Sequence, residues 1–360
     1  MNKKICVYAI AKNEIKFIDR WYDSIKEADY ICVLDTGSTD GTFERLKKLG
    51  IKTEQKIYEN FRFDTARNDS MKLIPNDADI CVCIDIDEVI QSGWSSILKE
   101  EWKSNTTRAK YKYVWSFNSD GSEGVVFLAD KIHANKLYNW INPVHEILHT
   151  DKREEYITLS LQINHHADNT KSRSNYLPLL KLACKEDPTN DRNIHYLGRE
   201  YMFYHEYDKA IKTLKKHLKL PTATWNEERC ASLRYIAHCY SQKNNKKLAE
   251  KYYLLAILEN NTVREPYYEL GVFYFDNKDY LKASIMFEEM LKIKTRSLSY
   301  ISSPICWRDA PYDYLSICYY NLGNIKKAIS NAEIAISINP NIRLKQNRDY
   351  FLSITNQTEN

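Results

Sequence analysis

No apolar stretch in this 360-residue sequence approaches the roughly 18 residues needed to cross a bilayer. Glycine and proline number only nine each, and neither forms a rich tract or a low-complexity segment. The first absence excludes a membrane-spanning anchor; the second excludes a collagenous, linker-like or largely disordered chain. A secretory leader is not expected either. The opening MNKKICVYAIAKNE starts basic, but its apolar run is broken at Lys12, Asn13 and Glu14, so it reads as a strand. The nine cysteines lack the spacing of a metal cluster or a disulfide framework, and the nearest pair, Cys81 and Cys83, alternates within an apolar run. They read as reduced core thiols, which places the chain in the cytoplasm.

What is present divides the chain in two. Net charge is +4, but residues 1–168 carry −4 (23 basic against 27 acidic) and residues 169–360 carry +8 (29 against 21). An acidic half suits a cation site, whereas a mildly basic helical half is most simply a set of solvated faces. From Lys3 to about Asp168, short Val/Ile/Cys/Tyr-rich runs alternate with helical patterns. Strands are expected at Ile5–Ala11, Tyr30–Asp35, Ile51–Tyr58 and Ile80–Ile84, with helices at Ile15–Lys26, Thr42–Leu49 and Ala66–Leu73. Strands at Ala109–Phe117, Gly124–Leu128 and Tyr156–His165 follow. This order predicts an α/β, Rossmann-like, mostly parallel sheet with helices on both faces and ligands at the carboxyl ends of its strands.

From Asn175 onward the sequence repeats itself. Gly198, Ala237, Gly271 and Ser316 are each followed by a tyrosine three residues later and an alanine nine further on. The intervals of 39, 34 and 45 resemble tetratricopeptide repeats, with an extra turn or helix over Arg296–Pro311 in the last interval. The expected division is therefore a catalytic domain at 1–168, helical repeats at 169–354 and a flexible tail at 355–360.

Four words carry the chemistry of the first half. Ala9-Ile-Ala-Lys-Asn13-Glu14 follows the first strand and Val33-Leu-Asp35-Thr-Gly37-Ser-Thr39-Asp40-Gly41-Thr42 closes the second. Asp64-Thr-Ala-Arg67-Asn68 precedes the buried strand that ends in Asp85-Ile-Asp87-Glu88. Two carboxylates one residue apart at a strand end put hard oxygen ligands where a cation and a diphosphate can meet. In order and spacing the four words resemble the family 2 glycosyltransferases of the GT-A fold. Trp140-Ile-Asn-Pro143-Val144-His145-Glu146 resembles a further word of repeat-bearing members, and the overall plan is similar to bacteriocin S-glycosyltransferases.

The resemblance implies an inverting transferase using a UDP-linked or related nucleotide sugar with Mn²⁺ or Mg²⁺. Carried over by position, Ala9, Ala11, Glu14, Asp35, Arg67 and Asp85 would contact the donor. Asp87, Asp85 and His165 would hold the metal, and Glu146 is the first candidate base, ahead of Glu88 and His145. The acceptor is expected to be a peptide or protein Ser, Thr or Cys held by the repeat groove. The alternatives are a surface glycan or lipid-linked acceptor with the repeats docking or forming a homodimer, and a repeat scaffold with a degenerate nucleotide domain. Nucleic acid is not an expected partner, because the basic residues are dispersed.

Overall fold

A computed structural model describes residues 3–168 and 176–358, without the side chains of 355–358. The chain forms two compact units, Met1–Glu186 and Asp187–Asn360. No helix among the described residues is long and apolar enough to span a membrane.

The first unit runs β1 (Ile5–Ala11), α1 (Ile18–Ile25), β2 (Tyr30–Asp35), α2 (Thr42–Lys48), β3 (Lys52–Gln55), α3 (Phe63–Met71), β4 (Ile80–Cys83), β5 (Glu88–Ile90) and α4 (Trp94–Glu101). It continues with β6 (Arg108–Val114), β7 (Val126–Ala134), β8 (Asn139–Ile141), β9 (Ile147–His149), β10 (Tyr156–His165) and α5 (Tyr176–Glu186). Eight strands make one sheet in the order β3-β2-β1-β4-β7-β6-β10-β5, and β8 pairs with β9 separately. The β3-β2-β1-β4 portion is parallel, as the β-α-β-α order predicts. Beyond β4 the sheet is mixed: β7 runs antiparallel to both β4 and β6, β10 parallel to β6, and β5 antiparallel to β10. The sheet is mixed because β6 and β7 are joined directly, without the helical crossover a parallel pair needs.

Strand periodicity sends alternate side chains of β1 to opposite faces. Ile5, Val7, Ala9 and Ala11 join a core with Trp21 of α1, Leu46 of α2 and Trp94 of α4. Cys6 and Tyr8 join a second core with Leu73, Trp140 and Leu148. Both faces are therefore dry. Eight of the nine cysteines are buried; burial pushes Cys81 up to about 12.

The second unit consists of helical pairs: α6 (Asp191–Phe203) with α7 (Tyr207–His217), α8 (Asn226–Gln242) with α9 (Lys246–Glu259), α10 (Glu265–Asp276) with α11 (Tyr280–Lys292), and α12 (Ala310–Asn321) with α13 (Ile325–Ile338). A last helix, α14, spans Ile342–Thr358 and so enters the segment expected to be a tail. Each repeat places its small residue on the first helix and its alanine on the second. Gly198 faces Leu214, and Gly271 faces Phe287, where an added Cβ would lie 2.8 Å from the ring. Each pair turns through one left-handed residue at the same repeat position: His205 (φ 58°), Asn244 (φ 56°), Lys278 (φ 62°) and Gly323 (φ 77°). In the last three repeats the next residue, Asn245, Asp279 or Asn324, caps the second helix through its side chain; Glu206 does not.

The extra turn or helix expected over Arg296–Pro311 is a 3-10 turn at Pro304–Trp307 within an otherwise irregular insertion, and α12 begins at Ala310. The insertion folds back over the first helices of earlier repeats. The Ser297 hydroxyl donates to Glu227 and the Tyr300 hydroxyl to Glu228, both on α8, and the Ser303 N–H donates to Glu265 on α10.

Candidate active site at the sheet edge

Because β1, β2 and β4 are parallel neighbours, their carboxyl ends lie on one edge, with Ala11 beside Asp35 and Tyr8 beside Cys83. The words singled out in the sequence converge there. Asp35 ends β2 fully buried. Its Oδ1 accepts from the N–H groups of Gly37 and Ser38 and from the Gln55 amide, each at 2.9 Å. Its Oδ2 is buried without a partner. Gly37, at φ 102°, supplies the left-handed step that folds the loop back onto the carboxylate. Ala9 and Ala11 are buried in the core, and the Ala11 carbonyl accepts from Thr36 N–H at 2.8 Å and Oγ1 at 3.0 Å. Glu14 is buried as well, and its backbone N–H donates to Thr42 Oγ1 at 2.8 Å. Asp40 accepts from the Thr42 N–H at the start of α2, whose N-cap is Gly41.

The Asp-x-Asp strand end splits into two environments. Asp85 accepts from Arg67 through both terminal nitrogens, at 2.8 and 3.2 Å, and from Lys131 at 2.9 Å. Burial opposes its charge, but Arg67 and then Lys131 outweigh burial and hold the carboxyl far below the usual range. Arg67 also donates from Nε to Glu146 at 2.5 Å and lies 5.0 Å over the Trp140 ring. Asp87 turns the other way, with its Oδ2 3.3 Å from His165 Nε2. The His165 Nδ1 contacts the Trp115 carbonyl at 3.0 Å, so the ring's orientation is fixed. Burial lowers the readiness of His165 to protonate; Asp87 raises it, and the net shift is upward. Of the three expected metal ligands, the structure brings Asp87 and His165 together and directs Asp85 to the cations.

Glu88 is 1% exposed and spends both oxygens internally. Tyr113 (2.6 Å) and Lys131 (2.7 Å) donate to Oε1, and the Asp85 N–H (2.9 Å) donates to Oε2. Burial raises its pKa, with Lys131 opposing. Glu146 sits in a strained loop between β8 and β9: Asn142 (φ 78°) and His145 (φ 51°) are both left-handed, and the Phe63 N–H of α3 donates to the Pro143 carbonyl.

Sequence reasoning missed Lys131 as a partner of the carboxylates, and also Tyr113 and Trp115. Trp115 is 48% exposed and stacks on His165 at 4.3 Å. The alternation of Tyr113, Trp115 and Phe117 along one strand face was the available signal.

The family model of the tetratricopeptide repeat matches residues 236–262, the latter part of α8 with α9. The second unit carries a tetratricopeptide repeat. Solved structures of tetratricopeptide proteins are similar to this chain. MamA is 22% identical, covering 45% of this chain and 79% of its own, with a TM-score of 0.36. Pseudomonas aeruginosa pilF is 12% identical, covering 49% and 72%, with a TM-score of 0.38. YrrB, described as a TPR protein with an unusual peptide-binding site, is 17% identical, covering 47% and 78%, with a TM-score of 0.36. Likeness of this degree says nothing of activity or ligand. Among curated proteins no match is found.

Proposed function

We propose that the chain is an inverting glycosyltransferase whose first unit has the GT-A fold, transferring a sugar from a nucleoside diphosphate to a peptide or protein side chain. The observation that carries this reading is Asp35. A buried carboxylate oxygen without a donor costs about 1–3 kcal/mol, and here it lies at the edge where a sheet of this order binds its ligands. The N–H of a pyrimidine base is a donor of the right kind.

Asp87 and His165 fit a Mn²⁺ or Mg²⁺ ion that takes its remaining ligands from a diphosphate and water, as such ions commonly do. The cation they would hold supplies positive charge against the leaving diphosphate. Glu88 has both oxygens engaged, which favours Glu146 as the base. Glu146 takes the proton from the acceptor O–H or S–H while that atom bonds to the anomeric carbon, and the bond from that carbon to the diphosphate oxygen breaks on the opposite side. Arg67 positions Glu146 and shares its donors with Asp85, so the two carboxylates are coupled. Trp115 offers an exposed ring face on which a sugar could stack. The repeats are assigned the acceptor, since stacked helical pairs make extended binding surfaces.

A panel of nucleotide sugars with Mn²⁺ tests the proposal without a known acceptor. One donor should be hydrolysed slowly, with loss on chelation and recovery on adding metal. Failure of every donor either to bind or to turn over would overturn it.

A further inference from the structure

The second unit contains a polar cluster that the transferase reading does not use. His195 on α6, His217 on α7, and Glu228 and Ser232 on α8 are all buried, the two imidazoles and the serine completely. Ser232 Oγ lies 2.8 Å from His195 Nδ1 and 2.9 Å from His217 Nδ1, and His217 Nε2 lies 3.3 Å from Glu228 Oε1. Tyr300 donates to the other Glu228 oxygen at 2.6 Å.

The Ser232 hydroxyl has one hydrogen to share between the two Nδ1 atoms. The Nε2 atoms of His195 and His217 are both buried without a hydrogen-bond partner. The only ion-pair partner of Glu228 among the described residues is the imidazole of His217, with the Arg192 guanidinium interacting electrostatically from further off. The interior of the first repeat thus holds a buried carboxylate beside two unused ring nitrogens.

We propose that His195, His217 and Glu228 bind a zinc-class divalent cation that ties α6, α7 and α8 together. One ligand atom from each lies within 4.8 Å of the other two, and no other group of three such residues is found among the described residues. Tetrahedral zinc with ligands at about 2.0–2.1 Å spaces them about 3.4 Å apart, so closure needs side-chain shifts of about 1 Å. Two imidazoles and one carboxylate, without thiolate, are an ordinary donor set for this ion, and the Ser232 hydroxyl or a water completes four. The ion links three helices that otherwise meet through side-chain packing and the hydrogen bonds of Ser232, so its binding free energy adds to the stability of the repeat.

The test uses the full chain carrying Asp87→Ala, which removes the cleft as a source of bound metal. Expressed with added zinc and dialysed against metal-free buffer, it should retain about one zinc per chain by elemental analysis. Glu228→Gln and His195→Gln on that background should reduce zinc to background, and a chelator should lower the melting temperature of the parent but not of these variants. Zinc content unchanged in Glu228→Gln, or absent from the parent, overturns the site. Should either variant fail to fold, cobalt loading of the Asp87→Ala protein decides: an intense tetrahedral visible band supports the site, and its absence overturns it. Loss of transferase activity affects none of these readouts.

Discussion

Substituting Gly271 by alanine should change sign with the identity of one neighbour. A Cβ at 271 falls 2.8 Å from both Cε1 and Cζ of Phe287. That ring is fully buried, stacked on Tyr314 at 5.1 Å and met edge-on by Tyr268 at 6.0 Å, so it has nowhere to retreat. Overpacking of this kind costs about 1–3 kcal/mol. Against it stands the helix preference for alanine over glycine, about 1 kcal/mol. The net expectation is a destabilisation of about 1 kcal/mol and up to about 2 kcal/mol. In a Phe287→Leu background the ring atoms are gone, the clash disappears and only the propensity remains. There Gly271→Ala should stabilise by about 1 kcal/mol, giving a coupling of about 2 kcal/mol between the two positions. Urea denaturation of the four proteins, followed by far-UV ellipticity, measures each corner of the cycle. A substitution that stabilises in both backgrounds, or destabilises equally in both, would show that Gly271 is not held against Phe287.

Asp35→Ala should weaken nucleoside diphosphate binding by about 1.5–3 kcal/mol, the scale of a hydrogen bond to a charged group; equal affinity by calorimetry would remove the base-binding role. Asp87→Ala should abolish metal-dependent donor turnover at an unchanged melting temperature, and retained turnover would end the metal assignment. His133 is fully buried, contacts the Tyr8 hydroxyl at 2.8 Å and is pushed by burial from 6.5 to about 4. Between those values the unfolded chain binds the proton and the folded chain does not, so stability falls as pH drops from 6.5 towards 4, by about 3 kcal/mol in all. His133→Gln should flatten that part of the stability–pH curve, and an unchanged slope would count against the assignment. Charge reversal of exposed Lys and Arg on the repeats should raise KM for a peptide acceptor while leaving donor hydrolysis intact; parallel loss of both at every position would make the repeats a scaffold.

Much of this was legible before any coordinates. The bounds of β1, β2 and β10 agree with the strand patterns, and the small-residue, tyrosine, alanine period gives the register of the helical pairs. The antiparallel pairings of β7 and β5 were not legible, because alternation marks a strand and its faces but carries no direction. Lys131 escaped notice for a related reason. Its partner Asp85 is 46 residues away, and a lysine on a strand looks like an edge or surface residue until the neighbouring strand is known. His195, His217 and Glu228 lie on three helices at intervals that match no ligand motif, so only the folded repeat reveals them. The resemblance implied Asp87 as the preferred metal ligand and Asp85 as a donor contact; strand-end geometry sends Asp85 to Arg67 and Asp87 to His165.

The insertion at 293–309 changes how the repeats hold together. Stacked helical repeats ordinarily touch only their neighbours, so they melt as a one-dimensional chain in which ends can fray independently. Here Tyr300, which lies between the third and fourth repeats, packs with tilted rings against Tyr196 of the first at 5.8 Å and Trp225 at 5.7 Å. Arg264 meanwhile clamps the carbonyls of Ile293 and Cys306. The segment is a brace that skips a repeat, and it converts nearest-neighbour coupling into a longer-range one. The first three repeats should therefore lose hydrogen-exchange protection together, while the α12–α13 pair and α14 outside the brace open on their own.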